Sequence, residues 1–286
     1  MTIQRLGVVG AGQMGAGIAQ VSAMAGLQTR VTDVSQQRLQ VGQQSVQSSL
    51  QRLVAGKRIT SAVAQAAQER ITWSLAVEDH ADRQVVIEAV PENAELKQSV
   101  LRTLEESCAA GTLLASNTSS LSITALASGL SHPERFVGMH FMNPVPVMVL
   151  VEVIRGAATS DATCEQTIAL ADQLGKQTTV ASDYPGFLSN RILMPMINEA
   201  FFTLMEGVGS AEDIDRTLTL GMNHPLGPLA LADLIGLDTC LSILDILQHQ
   251  LGDPKYRACP LLRRFVAAGW LGRKTGRGVF AYGDTP

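Results

Sequence analysis

The stretch "LGVVGAGQMGAGIAQ", residues 6 to 20, restricts most strongly what this chain can become. An apolar run ends in a turn with glycines at 10, 12 and 15, and a helical pattern of small residues follows at once. Gly10 permits the tight turn, Gly12 leaves no side chain in the way of a pyrophosphate on the helix N-terminus, and Gly15 lets helix and strand pack closely. Gln13 and Met14 belong to the same turn and are counted with the cofactor-binding positions. The next apolar segment, "QTRVTD", ends in Asp33. An acid at that point can bond the adenosine ribose hydroxyls and repels a 2′-phosphate, which favours NAD over NADP. Arg30 and Arg38 lie near enough in sequence to soften that preference.

Further short apolar runs at 85–90, 112–116, 135–140 and 149–154 alternate with helical patterns. Such alternation implies parallel βαβ units. The clearest helix spans 93–107, with Asn93 as N-cap and Leu96, Val100 and Leu104 on one face. Residues 35–70 read as two helices, interrupted near "AGKRIT". Beyond "ASDYPGF" the period becomes helical, at 187–206, 211–220, 228–235, 237–251 and 260–268, with a strand returning only at "GVFAY". The expected fold class is α/β. A Rossmann-type doubly wound sheet over 1–183, with a helical hairpin at about 35–70, precedes an all-helical domain over 184–286.

Composition narrows the functions. A chain of 286 residues that is 46% hydrophobic and 17% charged can bury a substantial core. The net charge of −4, without a long basic run, argues against nucleic acid as a partner. Cys108, Cys164, Cys240 and Cys259 show no zinc-type spacing and read as reduced thiols, so no metal is expected. "MTIQRL" runs straight into a strand, unlike a signal peptide, and no apolar run is long enough to span a membrane. The expected location is cytoplasmic.

One apolar run carries ionisable groups. "GMHFMNPVPVMVLVEVI", residues 138 to 154, contains His140 and, twelve residues later, Glu152. His140 ends one predicted strand and Glu152 lies in the next, with "NPVP" turning the chain between them. Hydride transfer from an alcohol needs a base for the hydroxyl proton, and the reverse needs an acid for the carbonyl. An imidazole, ordinarily of pKa about 6.5, suits both directions. A carboxylate on its other ring nitrogen fixes the tautomer and stabilises the imidazolium. A histidine in an apolar run also reads as a satisfied core residue. His80, His132 and His249 lack a comparable partner and read as surface residues. Taken alone, Ser119 reads as a cap for the helix that follows, Asn190 as a surface helix residue, and Lys97 as a solvated charge.

The motifs "GVVGAGQMGAGIAQ", "VIEAVPEN", "LASNTSSLSIT", "GMHFMNPVPVM", "LVEVI" and "PGFLSNRILMPMINEA" lie in order along the chain. Together they resemble the short-chain L-3-hydroxyacyl-CoA dehydrogenase family, and within it the bacterial 3-hydroxybutyryl-CoA dehydrogenases, over essentially the whole length. The resemblance implies NAD as cofactor and an acyl-CoA as substrate. It implies His140 as acid/base and Glu152 as its partner, with Ser119 between nicotinamide and substrate, bonding the substrate oxygen, and Asn190 completing the catalytic site and binding the substrate. Asn143 would lie at the nicotinamide end, Glu92 and Lys97 near the cofactor ribose, and Asn117 is counted with the cofactor-binding positions. Arg52 and Lys57, with Arg58, would meet the coenzyme A phosphates at the hairpin turn. Three positions depart from the family pattern. Ala55 and Gly56 stand where relatives often have basic residues, and Val149 stands where lysine is usual.

The resemblance further implies a homodimer through the helical domain, where residues 226–247 are apolar on more than one face. Two enzymatic alternatives stay open on the sequence, a 3-hydroxyadipyl-CoA dehydrogenase and a gulonate-type hydroxyacid dehydrogenase. A non-catalytic protein on the same fold is the third reading, and retention of His140 and Glu152 speaks against it.

Overall fold

The structure, a computed structural model, describes residues 2–283. They separate into two compact units that divide between Tyr184 and Pro185.

The first unit is built on an eight-stranded sheet, in the order β3-β2-β1-β4-β5-β6-β7-β8. Its strands are β1 (Arg5–Val9), β2 (Gln28–Thr32), β3 (Ile71–Ser74), β4 (Val85–Glu88), β5 (Leu113–Ser116), β6 (Phe136–Phe141), β7 (Leu150–Arg155) and β8 (Gln177–Ser182). Strands β1 to β6 run parallel, and both faces of such a sheet are buried, so β4 to β6 read as continuous apolar runs. The order reverses between β1 and β4, the topological switch point where doubly wound sheets bind ligands beyond their strands' carboxyl ends. Helices α1 (Gln13–Met24), α2 (Gln36–Ala55), α3 (Ser61–Glu69), α4 (Ala94–Ser107), α5 (Ile123–Ala127) and α6 (Asp161–Gln173) accompany the sheet. Asn93 caps α4, its side chain accepting from the Leu96 N–H at 2.8 Å. Leu6, Val8, Ile18, Val31, Leu50 and Ile87 centre the core.

Not every strand relation is parallel. No helix lies between β6 and β7, and a short turn can join only antiparallel neighbours. Strands β3 and β8 were not anticipated. β3 has only four residues, two of them polar; β8 is mostly polar, pairs only with β7 at the sheet edge and buries only Ala181, so neither offers an apolar pattern. The expected strand at "GVFAY" is reduced to an isolated bridge between Arg277 and Ala281.

His80 corrects the sequence reading. It is fully buried rather than on the surface, with Nε2 3.0 Å from Thr32 Oγ1. Its ring lies against Gly7, where a Cβ would come 2.4 Å from Nδ1.

The second unit is helical: α7 (Ser189–Met205), α8 (Ala211–Arg216), α9 (Pro228–Ile235), α10 (Leu237–Leu251) and α11 (Pro260–Ala267), with a π turn following α8. Met194, Phe201, Leu237, Leu244, Leu247 and Leu262 form its core. Among the described residues no helix is long and apolar enough to cross a membrane.

Candidate active site

The glycine turn joins β1 to α1. Gly10 has φ +107°, and a Cβ there would lie 2.6 Å from the Ala89 carbonyl oxygen. A Cβ at Gly15 would lie 1.8 Å from the Gly10 carbonyl oxygen, so strand exit and helix meet with no room for a side chain. At Gly12 a Cβ would meet nothing within 4 Å, and the space over the start of α1 is open. Beside it lies a cavity of about 410 Å³, lined by Ala11, Gly12, Asp33, Ser35, Arg38 and Val41. Asp33 Oδ2 accepts from the Ala11 N–H at 2.8 Å, and Oδ1 from the Val34 N–H at 2.7 Å. The acid therefore braces the turn and borders the cavity together. Arg30 is held elsewhere, donating to the Asp79 carbonyl and pairing with Asp82 at 3.5 Å, whereas Arg38 lines the cavity. An open helix start, a clear approach at Gly12 and an acid beside the cavity fit the pyrophosphate and adenosine ribose of NAD.

The carboxyl ends of β4, β5 and β6 carry the polar groups. His140 and Glu152 are direct cross-strand partners, and antiparallel pairing places both side chains on one face. Nδ1 of His140 lies 2.8 Å from Oε2 of Glu152; the histidine is 8% exposed and the glutamate 1%. A buried carboxylate on Nδ1 orients the ring and fixes which nitrogen faces outward. Asn117, just past β5, accepts from the Phe141 N–H at 2.9 Å and so ties the β5 exit to the end of β6.

Ser119 lies in the turn after β5 and does not cap α5. That role falls to Ser122, whose side chain accepts from the Ala125 N–H at 3.1 Å. Instead Glu92 gathers the turn: its Oε1 accepts from Thr118 Oγ1 at 2.6 Å, the Ser119 N–H at 3.0 Å and the Ser120 N–H at 3.1 Å. Burial pushes the Glu92 carboxyl up, but the Lys97 ammonium and the hydrogen bonds from Thr118, Ser120 and Ser119 together hold it below its ordinary value.

Lys97 is not a solvated charge. It is 1% exposed, and its Nζ lies 2.8 Å from Glu88 Oε1, 3.0 Å from the Val90 carbonyl oxygen and 3.3 Å from Glu92 Oε2. Glu88 is wholly buried, and its Oε2 accepts from Ser116 Oγ at 2.6 Å. Removing one partner of such a buried pair costs about 3–5 kcal/mol, because the other charge is stranded.

Asn143 is exposed at the start of the loop between β6 and β7, before a cis peptide bond to Pro144. Lys176 holds this loop from beneath. It is 7% exposed and donates to the carbonyls of Val145 at 2.6 Å and Met148 at 2.7 Å, and burial pushes its ammonium pKa down. Val149 is exposed and carries no charge in place of the family's lysine.

Arg52 and Lys57 are exposed at the turn between α2 and α3, where Lys57 takes φ +55°. Asn190 belongs to the second unit, buried in the first turn of α7. Glu88 and Lys176 were absent from the sequence reading. Glu88 carried a signal, since an acid closing the apolar run "VVIE" is the same anomaly that drew attention to His140. Lys176, in the polar "GKQTT", carried none.

Comparisons with known proteins show the family. Residues 5–184 match the NAD-binding domain of 3-hydroxyacyl-CoA dehydrogenase, and residues 186–282 match its C-terminal domain. The chain is 51% identical over 282 residues to a probable 3-hydroxybutyryl-CoA dehydrogenase of Bacillus subtilis, covering 99% of this chain and 98% of that protein. It is 51% identical over 280 residues to a 3-hydroxybutyryl-CoA dehydrogenase of Bradyrhizobium diazoefficiens, covering 98% and 96%. The crystal structure of (S)-3-hydroxybutyryl-CoA dehydrogenase from Ralstonia eutropha superposes with a TM-score of 0.95 at 50% identity, covering 99% of this chain and 100% of that one. With a glycine turn shaped for NAD, a buried histidine–carboxylate pair on β6 and β7, and two family domains matched over residues 5–184 and 186–282, the chain belongs to the 3-hydroxyacyl-CoA dehydrogenase family.

Proposed function

We propose that this protein interconverts (S)-3-hydroxybutyryl-CoA and acetoacetyl-CoA with NAD. The observation that carries the reading is the 2.8 Å pair of His140 and Glu152 at the strand ends of an NAD-binding domain. When bound, NAD accepts or returns the hydride. The chain's own residues handle the proton. Nδ1 of His140 is committed to Glu152, so proton exchange with the substrate oxygen falls to Nε2. Nε2 takes the hydroxyl proton during oxidation and returns it to the carbonyl oxygen during reduction. Glu152 holds the ring and stabilises the imidazolium, much as the carboxylate of a hydrolase triad does.

Ser119, in a turn held by Glu92, hydrogen-bonds the substrate oxygen, and Asn190 is the second unit's ligand for the substrate. Gly10, Gly12, Gln13, Met14, Gly15 and Asp33 hold the cofactor's pyrophosphate and adenosine ribose. Asn117 and Asn143 serve its nicotinamide end. Arg52 and Lys57 take the coenzyme A phosphates at the α2–α3 turn. In this division the first unit carries the cofactor and the second contributes to the substrate and to a homodimer, in the cytoplasm. Exposed Ile192, Leu220, Met222 and Leu234 on the second unit support the dimer, since surplus apolar surface marks an interface. Light scattering at micromolar concentration tests the dimer, and a mass near 30.5 kDa would sink it.

Oxidation of NADH followed with acetoacetyl-CoA, free acetoacetate and dehydrogulonate tests the function. Turnover of the thioester alone is the expected result. Equal turnover of a free acid would overturn the substrate class.

A further inference from the structure

We infer that Lys176 is a positioning residue for the reaction: its ammonium clamps the turn at 144–148 between β6 and β7, and through that backbone it holds Asn143 at the nicotinamide end of the cofactor. The inference rests on the dehydrogenase reading above. Residues 144–148 form a single helical turn, in which the Val147 and Met148 N–H groups both donate to the Pro144 carbonyl at 3.0 Å. So short a turn leaves its later carbonyls without partners inside it. Lys176 serves two of them, its Nζ donating to the carbonyls of Val145 at 2.6 Å and Met148 at 2.7 Å. Burial lowers the ammonium pKa, and among the described residues no carboxylate charge raises it again. A buried cation is tolerated only where it is paired, and here the two carbonyls compensate it.

Lys176 reaches the turn from a fixed point. It follows α6, whose end at Gly175, with φ +70°, lets the Lys176 N–H donate to the Ala171 carbonyl and the Gly175 N–H to the Asp172 carbonyl, each at 2.9 Å. Gln177, next along, donates its N–H to the Val149 carbonyl at 2.8 Å and starts the pairing of β8 with β7. The turn has few other holds. Of residues 143–149 only Val145 is buried. It seats on α1, where a Cβ at Gly17 would come 2.8 Å from the Val145 Cβ. One seated side chain fixes a point. Two hydrogen bonds from one ammonium, to carbonyls three residues apart, fix the orientation about that point. Asn143 stands directly before the turn and is exposed, so the turn sets its direction and packing of its own side chain does not. Position thus passes from α6 to Lys176, to the turn, to Asn143.

A double-mutant cycle on the full chain tests this. Lys176→Met is made alone and in an Asn143→Ala background. The readouts are affinities for NADH and for ADP-ribose by titration, and kcat and KM for acetoacetyl-CoA at saturating NADH. ADP-ribose has the adenosine and pyrophosphate of the cofactor but no nicotinamide. Lys176→Met should weaken NADH roughly 3–10-fold, the effect of about one hydrogen bond, and leave ADP-ribose within about twofold. It should lower kcat by about 10-fold through misplacement of the nicotinamide, with KM changed less than about threefold. In the Asn143→Ala background the same substitution should cost less than about twofold in NADH affinity and in kcat, because residues acting through one another are not additive. Equal weakening of NADH and ADP-ribose would mean general damage to the first unit and overturn the inference. Losses of the same size in both backgrounds would mean that Lys176 does not act through Asn143 and overturn it too. Should Lys176→Met fail to fold, Lys176→Gln, which keeps an amide donor for one carbonyl, enters the same cycle with the same outcomes. Absence of acetoacetyl-CoA turnover in the unmodified protein would refute the dehydrogenase reading and this inference with it. Turnover there, with additive losses, refutes the inference alone.

Discussion

Replacing His80 by asparagine should flatten the acid dependence of the first unit's stability. The imidazole is fully buried against Gly7, with Thr32 on Nε2 and no hydrogen-bond partner on Nδ1. Burial, followed by the nearby Arg30 and Arg83 guanidinium charges, lowers its pKa from 6.5 to about 4, and Asp79 and Asp82 offset this only in part. The sign follows from which state binds the proton. Between those two values the unfolded chain is protonated at this residue and the folded chain is not. Stability is therefore full above about pH 6.5, declines as pH falls below it, and is lost through about pH 4. From about pH 7.5 to about pH 4.5 the linkage removes about 2.5 kcal/mol, a sizeable part of a typical domain's stability. Urea unfolding followed by tryptophan fluorescence can read it. Trp73 lies on β3 in the first unit, and a Trp270→Phe background leaves it as the sole reporter. The parent should lose about 2.5 kcal/mol more than His80→Asn over that range. Parallel pH profiles for the two proteins would refute the reasoning.

Glu152→Gln should lower kcat by about 10²–10⁴-fold with little change in KM, because an amide N–H facing Nδ1 puts the ring proton on the wrong nitrogen; steady-state kinetics with unchanged kcat would remove Glu152 from the mechanism. His140→Gln should keep NADH binding while losing turnover by a similar factor of about 10²–10⁴, as fluorescence titration and rate measurements on one preparation would show. Asp33→Ser should weaken NADH binding and erode its preference over NADPH, since the carboxylate both borders the cavity and accepts the Ala11 N–H; equal use of both cofactors by the unmodified protein would mean that Arg38 outweighs the acid. Replacing Arg52 and Lys57 by alanine should raise KM for acetoacetyl-CoA, more at low salt than at high, because both charges are exposed and screened. An unchanged KM would place the phosphates elsewhere.

Local chemistry made much of this protein legible in its sequence. The glycine turn depends on backbone conformation and close approach within a few residues, and its spacing states both. Asn93 announced α4 for the same reason, since a cap and the N–H it satisfies lie three residues apart. The pairing of His140 with Glu152 was within reach because the two strands are consecutive and a short turn joins them. Helical periodicity marked α7 and α9 to α11, whose apolar faces make the second core.

Tertiary structure alone decided where the other charges went. Lys97 and His80 look like surface residues in sequence, yet both are buried. Whether a lysine is solvated or internal depends on a carboxylate such as Glu88, nine residues away on another element, being aimed at it. His80 meets Thr32 across 48 residues, and Lys176 meets the Val145 carbonyl across 31. Hydrophobic patterning specifies which faces turn inward. It says nothing of which polar groups find each other once strands β4, β5 and β6 stand side by side. A buried charge is tolerated only when its partner arrives from elsewhere in the fold, and that partner is chosen by sheet order, which no single stretch of chain contains.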